Sequence, residues 1–350
     1  RWQAAKVRHV PAKLIAQRVY GLAAGYEDLS DFDTLRDDAL WQTVCGSDLA
    51  LAGKSTWSRF EQTQGREMAA AVNALLVALF IESFAHRPPP EELILDFDAT
   101  DDRVHGQQEG RAFHGYYGDY CFLPLYVFCG DKLLCAYLRR ADQDVARHSA
   151  AILKLLVKRL RAAWPKVRII FRADSGFCRD RTLSWCDRHG VDYVVGLAKN
   201  EVLLRESEAY REEARRLYGE SGDKQRLFGG LVYGAKSWRL KRHVICKAEH
   251  GPQGANPRFV VTSLIQEEAE VYDRVYCARG EMENRIKEQM MLFADRTSAT
   301  KWWANQWRML LSALAYTLVE HIRDCALRGT ELARAQCQRV RLRLFKIGAI

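Results

Sequence analysis

Apolar residues recur at helical spacing through the first 87 positions. Leu14, Val19, Tyr20 and Leu22 form one partial apolar face, and the stretch from Leu35 to Val44 forms another. Ser55 or Thr56 is suited to cap a long helix running from Trp57 to Phe84, with Phe60, Met68, Leu76 and Phe80 among its apolar positions. Pro88-Pro89-Pro90 ends this region, because proline has no N–H and cannot continue a helix. The period then shortens to that of strands, over Leu93 to Asp98, Tyr120 to Cys129 and Leu133 to Leu138. A helix from about Val145 to Ala163 carries Ile152, Leu153, Leu156 and Leu160 on one face and stops at Pro165. A strand ending at Asp174, a short helix near Arg181 to His189 and a strand from Val191 to Leu197 follow. Three consecutive strands and then alternating helices and strands predict an α/β mixed sheet with helices on its faces.

The pattern changes again after position 200. A charged helix from Glu201 to Leu217 leads into Gly-rich and charge-rich sequence, with strands near Leu227 to Tyr233, Trp238 to Ala248 and Arg258 to Leu264. This predicts a β-rich insertion packed beside the core. A helix bearing Glu283, a long apolar helix from Trp302 to Ile322 and a basic helical tail complete the chain. The expected units are a helical subdomain over 1–90, a candidate for DNA binding through Lys54 to Phe60 although a packing role is the commoner one, core over 91–199, insertion over 200–272, core over 273–325 and basic helix over 326–350.

Composition narrows the partner. The 350 residues carry a net charge of +9. Residues 139–181 hold 12 Lys or Arg against four Asp or Glu, and residues 301–350 hold nine against three. Such runs suit a nucleic acid, although each alone is equally well a solvated helix face. Ten cysteines with no C-x-x-C pair exclude ordinary zinc spacing and point to free thiols in a reducing cytoplasm. The longest apolar stretch, Ala69 to Phe80, is interrupted by Asn73 and falls short of the ~20 residues that span a bilayer, so no membrane partner is expected. The chain opens on Arg1 inside a helix-like pattern, which suggests a fragment of a longer protein.

Three acids stand out in separate settings. Asp98 ends one strand-like run, Asp174 ends another, and Glu283 sits on a helix-like stretch. A lone strand-end Asp is more often a cap or turn former. Three such acids on a basic background suit hard divalent cations, which prefer oxygen ligands and in pairs serve phosphodiester chemistry. Asp96, two residues before Asp98, points to the same face of its strand, so either could be the first ligand. Tyr276 and Arg279 precede Glu283 at spacings that place Arg279 one helical turn away. Both are candidates for contacting a DNA phosphate, as are Lys287 and Arg172; the alternative for Arg279 is a surface pair with Glu281 or Glu283. Trp238, among Lys236, Arg239, Lys241 and Arg242, could stack on an unpaired base, although a packed hairpin Trp is the commoner arrangement.

These residues resemble bacterial insertion-sequence transposases of the DDE class, whose catalytic core is RNase H-like. Tyr276-x-x-Arg279-x-x-x-Glu283 is similar to the Y-R-E-K signature of the branch with a β insertion before the catalytic Glu. That signature places a basic residue seven positions after the Glu; Met290 stands here, so the basic role is absent or falls to Lys287. The fuller resemblance is to the thirteen-eighty group, the DDE group 1 transposases. It rests on Gly25-Tyr26-Glu27-Asp28, the run from Leu95 to Asp102, His105 to Glu109, Gly115-Tyr116-Tyr117, Arg172 to Phe177, Met282 to Glu288 and Leu292 to Ser298. The resemblance implies a catalytic and metal-binding triad of Asp98, Asp174 and Glu283, with Asp98 preferred over Asp96. It implies two Mg²⁺ ions (or Mn²⁺), hydrolysis at transposon ends and then transesterification into target DNA. It further implies double-stranded DNA as partner, in terminal inverted repeats and target, a homodimer, and a nucleoid-associated place in the bacterial cytoplasm. It also implies that an end-binding N-terminal segment and the C-terminal end lie outside this chain. Two other readings compete: a truncated DNA-binding regulator, and a nuclease that cuts without joining.

Overall fold

The computed structural model describes residues 9–346; the ends of the expected first and last units, residues 1–8 and 347–350, lie outside them. The helical N-terminal region comprises α1 (Pro11–Ala24), α2 (Asp31–Leu35), α3 (Ala39–Val44), α4 (Lys54–Gln62) and α5 (Arg66–Glu82). The single helix expected from Trp57 to Phe84 is two helices meeting at 98°. Gly65, in extended backbone, breaks it. The bend lets Trp57 and Phe60 pack beside Phe32 and Trp307 while α5 runs on along the sheet.

The strands are β1 (Glu92–Ala99), β2 (Asp102–Arg103), β3 (Ala112–His114), β4 (Asp119–Phe122), β5 (Leu125–Cys129), β6 (Lys132–Tyr137), β7 (Arg168–Ala173), β8 (Asp192–Leu197), β9 (Gln225–Tyr233), β10 (Arg242–Gly251), β11 (Gly254–Ala255) and β12 (Arg258–Thr262). Between and after them run α6 (Ser149–Ala163), α7 (Asp180–His189), α8 (Glu201–Glu206), α9 (Glu208–Ser221), α10 (Glu268–Glu270), α11 (Gly280–Met291), α12 (Trp302–Cys325) and α13 (Cys337–Val340). The central order is β6-β5-β1-β7-β8. β5 and β6 are antiparallel to their neighbours, whereas β7 and β8 continue parallel to β1. An antiparallel meander followed by two parallel crossover strands on its other side is the RNase H-like arrangement.

Three elements differ from expectation. The run Tyr120 to Cys129 is split at Leu123-Pro124, because Pro124 cannot donate to a ladder; β4 instead centres a separate small sheet with β2 and β3. The β-rich region after residue 200 extends the core's own sheet. β12 pairs with β8, β10 pairs with β12, and β9 pairs with β10, all antiparallel. The basic tail is not one helix: residues 326–336 run in turns before α13.

Helix α12 is the internal strut. Trp307, Leu310, Leu311, Tyr316 and Val319 are fully buried on it. It also closes the sheet edge at β6. The Gln306 side chain accepts from the Leu138 N–H at 2.7 Å and donates to the Ala136 carbonyl at 3.2 Å. Asn73 on α5 accepts from the Ala136 N–H at 3.0 Å. The polar residue that interrupts an apolar stretch in sequence therefore satisfies an edge strand. All ten cysteines are free thiols. Among the described residues no single helix is long and apolar enough to cross a membrane.

Candidate active site

Strands β1 and β7 run parallel in a register that pairs Phe97 with Ala173. Asp98 and Asp174 each follow that pair, at the carboxyl ends of neighbouring strands. Parallel strands lie about 4.8 Å apart, and the carboxyl edge of an open α/β sheet is where ligands bind. Asp98 Oδ1 accepts from the Ala99 N–H at 2.9 Å, and Oδ2 accepts from Arg279 Nη1 at 3.0 Å. Its carboxyl is pushed up to about 6, chiefly by burial and against the pull of Arg279, with Asp174 and Glu283 adding repulsion. Asp174 begins a short 3₁₀ turn, Ser175–Phe177, and its Oδ1 accepts from the Gly176 N–H at 2.9 Å. It is thus both a cap and a member of the acidic edge.

Glu283 is exposed in the first turn of α11. Helical backbone of wider π type over Val271–Tyr276 and a 3₁₀ turn over Cys277–Arg279 lead into that helix and carry Tyr276 and Arg279 toward Asp98. Tyr276 fits because residue 196 is glycine: a Cβ there would lie 2.6 Å from the Tyr276 hydroxyl and 2.8 Å from the Ser175 nitrogen. Arg279 interacts electrostatically with Asp98, Tyr276, Asp174 and Glu283. The far end of α11 is anchored to α12 by a buried ion network. Arg323 donates to both oxygens of Glu288, at 2.9 and 3.0 Å, and also to Glu320. Among the described residues, no three His, Cys, Asp or Glu side chains converge closely enough to hold an ion. Asp98 and Asp174 share an edge, while Glu283 reaches them only through its field. The chemistry of this set still suits a hard cation: the donors are carboxylates, and their mutual repulsion is relieved by the one guanidinium that Asp98 binds.

Residues 1–350 match the family described as transposase DDE domain group 1. The chain belongs to this family. It is therefore a protein of DNA transposition, in a family of DNA-cleaving and DNA-transferring enzymes that work with divalent metal ions. No curated protein matches it. Among solved structures, the piggyBac transposase synaptic complex with hairpin DNA covers 98% of this chain and 72% of that chain, at 12% identity and a TM-score of 0.47.

The remaining expected site residues separate. Arg172 points into the protein. It is buried at 7% exposure and binds both oxygens of Asp96, with Nη1 donating to the Val275 carbonyl. The same pair engages both carboxylate oxygens of Asp96, whereas Asp98 meets Arg279 at the strand end. Lys287 is exposed on α11, four residues beyond Glu283. The alternative pairing of Arg279 with Glu281 or Glu283 gives way to its bond with Asp98.

Trp238 packs rather than projects. Its ring meets Tyr233 edge-on at 5.5 Å, and the Arg242 guanidinium lies 5.2 Å above it. Arg242 is in turn fixed by Asp180 at 2.8 Å and Asp187 at 3.1 Å. Trp238→Ala should cost roughly 2 kcal/mol in urea denaturation, below the ~3–5 kcal/mol of a fully buried aromatic. Slower cleavage at an unchanged urea midpoint would restore the base-stacking role.

Sequence reasoning did not single out Asp102. It is 2% exposed, its Oδ2 accepts from the Thr297 hydroxyl at 2.7 Å, and its Oδ1 is buried without a hydrogen bond. Burial pushes its carboxyl up to about 8, opposed by Thr297 and reinforced by Asp295 and Asp101. The bond ties β2 to the run Leu292 to Ser298. A carboxyl raised from 3.8 to about 8 on folding keeps its proton where the unfolded chain has lost it. Stability is thus undiminished below pH 4, falls as pH rises from about 4 to 8, and levels off above. Asp102→Asn should remove that slope. Urea melts should show the variant roughly 2–4 kcal/mol more stable than wild type at pH 8 and equal to it near pH 4. Parallel pH curves for the two proteins would show that Asp102 is ionised in the fold.

Proposed function

We propose that Asp98, Asp174 and Glu283 hold two Mg²⁺ ions, replaceable by Mn²⁺, and that the enzyme cuts the terminal inverted repeats of an insertion sequence and joins the freed 3′ ends to target DNA. The observation that carries this reading is the pair of carboxylates at neighbouring parallel strand ends, with Asp98 raised chiefly by burial and further by the charge of Asp174 and Glu283. Bound divalent ions would supply an activated water and stabilise the leaving oxygen. The chain's own residues do the rest. The three acids provide oxygen ligands. Arg279, whose fork can bind phosphate in two places, neutralises Asp98 and lies ready to orient the scissile phosphate. Tyr276, wedged over Gly196, holds the start of α11 against the strand edge. Lys287 on the exposed helix face meets the DNA backbone. The reading extends to a homodimer holding two ends of the element in the bacterial nucleoid.

The test is excision of a marked element bounded by its native repeats, with Mg²⁺ or Mn²⁺, in parallel with nicking and joining of end oligonucleotides. Excision and joining are expected. Metal-dependent nicking without joining would establish the nuclease reading. DNA binding with neither reaction would establish the regulator.

A further inference from the structure

A second site lies away from the acids, where α1, α4 and α12 meet. A cavity of about 290 Å³ opens there, lined by four cations: Arg18, Lys54, Arg296 and Arg308. Ser58 and Ser298 add hydroxyls. Arg18 is 5% exposed. Its Nη atoms donate to the Tyr26 and Glu27 carbonyls at 3.2 and 2.7 Å, while its Nε is buried with no hydrogen bond. Arg308 is held on the other side, by Glu61 at 2.9 Å and by the Ser298 hydroxyl at 2.7 Å. Lys54 and Ser58 stand one turn apart on α4, whose Trp57 and Phe60 turn into the core. Phe293 takes left-handed backbone, φ 67°, a conformation that a bulky side chain rarely adopts. This bends the chain where Arg296 and Ser298 join the lining.

The charges choose the ligand. Glu27 and Asp28 line the cavity and Glu61 pairs with Arg308, so four cations meet three acids, an excess of one positive charge. One uncompensated positive charge among these cations and hydroxyls suits a singly charged oxyanion that accepts hydrogen bonds, which is what a phosphodiester offers. Two motif runs that the catalytic reading leaves unused, Gly25 to Asp28 and Leu292 to Ser298, converge on this wall.

We propose that this cavity binds one backbone phosphate of DNA held by the transposase, and so positions the duplex on the helical subdomain. The proposal rests on the DNA-processing function above. The double variant Lys54→Ala/Arg296→Ala tests it, since both side chains are exposed and Arg296 pairs with the partly exposed Glu27. Duplex affinity measured by fluorescence anisotropy across a salt series should fall, and its salt slope should become shallower by about one, the value for one phosphate contact. Arg216→Ala, on the exposed face of α9, serves as charge control and should leave the slope unchanged. An unchanged slope in the double variant, or an equal loss in the control, overturns the proposal. Inorganic phosphate followed by ³¹P line broadening separates the sources. Binding of the free ion lost in the double variant, with an unchanged duplex slope, would make this a free-anion site and overturn the DNA assignment. Wild-type protein with no salt-dependent duplex binding would overturn the DNA-processing reading as well.

Discussion

Asp98→Asn, Asp174→Asn and Glu283→Gln should each reduce end cleavage by more than the ~10–100-fold that loss of an outer partner of a metal ligand costs. Each removes a charged oxygen donor and leaves the side chain's shape in place. The stabilities should diverge in an informative way. Asp98 is an acid raised on folding from 3.8 to about 6, so its ionised form opposes the fold above that range and not below 3.8. A neutral isostere removes this opposition, and Asp98→Asn should melt no lower than wild type at pH 7.5. Asp174→Asn keeps an oxygen able to accept the Gly176 N–H, and Glu283→Gln alters an exposed helix position; both should stay folded. Cleavage and calorimetry on the same preparations check both halves. Full activity in any one variant removes that residue from the site. Inactivity accompanied by a large fall in melting temperature shows a structural role instead.

Much of this site was legible because its signals are local. A carboxylate at the end of a strand-like run, as at Asp98 and Asp174, is visible in sequence, and so is the turn-by-turn spacing from Tyr276 through Arg279 to Glu283. What was not legible depends on which distant segments become neighbours. Arg172 and Asp96 sit on different strands, and only the parallel register of β1 and β7 sets them opposite each other. Asp102 reads as polar loop, because nothing near it announces Thr297 on a segment 195 residues away. Gly196 left a fainter trace: a glycine inside Val194-Val195-Gly196-Leu197 is a standing hint that something approaches the strand closely. That the β-rich insertion continues the core's own sheet beyond β8 was not legible for a related reason. Strand pattern shows which residues pair, but the pairing partner is set by the whole sheet.

Arg172→Ala should destabilise the protein by about 3–5 kcal/mol, the cost of leaving one partner of a buried ion pair uncompensated. Asp96 is 4% exposed, and burial already raises its carboxyl in spite of Arg172. Without the guanidinium it would have to take a proton or admit water. The loss should also reach the site through the backbone. Arg172 holds the Val275 carbonyl, the residue before Tyr276, and so fixes the entry to the helix that carries Arg279 and Glu283. Duplex affinity and its salt slope, measured below the melting transition, should by contrast match wild type, because a buried cation releases no counterions from DNA. The double variant Arg172→Met/Asp96→Leu should recover most of the lost stability, since apolar residues of similar volume often replace buried ion pairs without penalty. Urea denaturation and salt-dependent binding distinguish the roles. A shallower slope with unchanged stability would return Arg172 to the DNA surface. A loss of stability, repaired by the paired substitution at an unchanged slope, makes it the internal brace between β1, β7 and the start of the Glu283 helix.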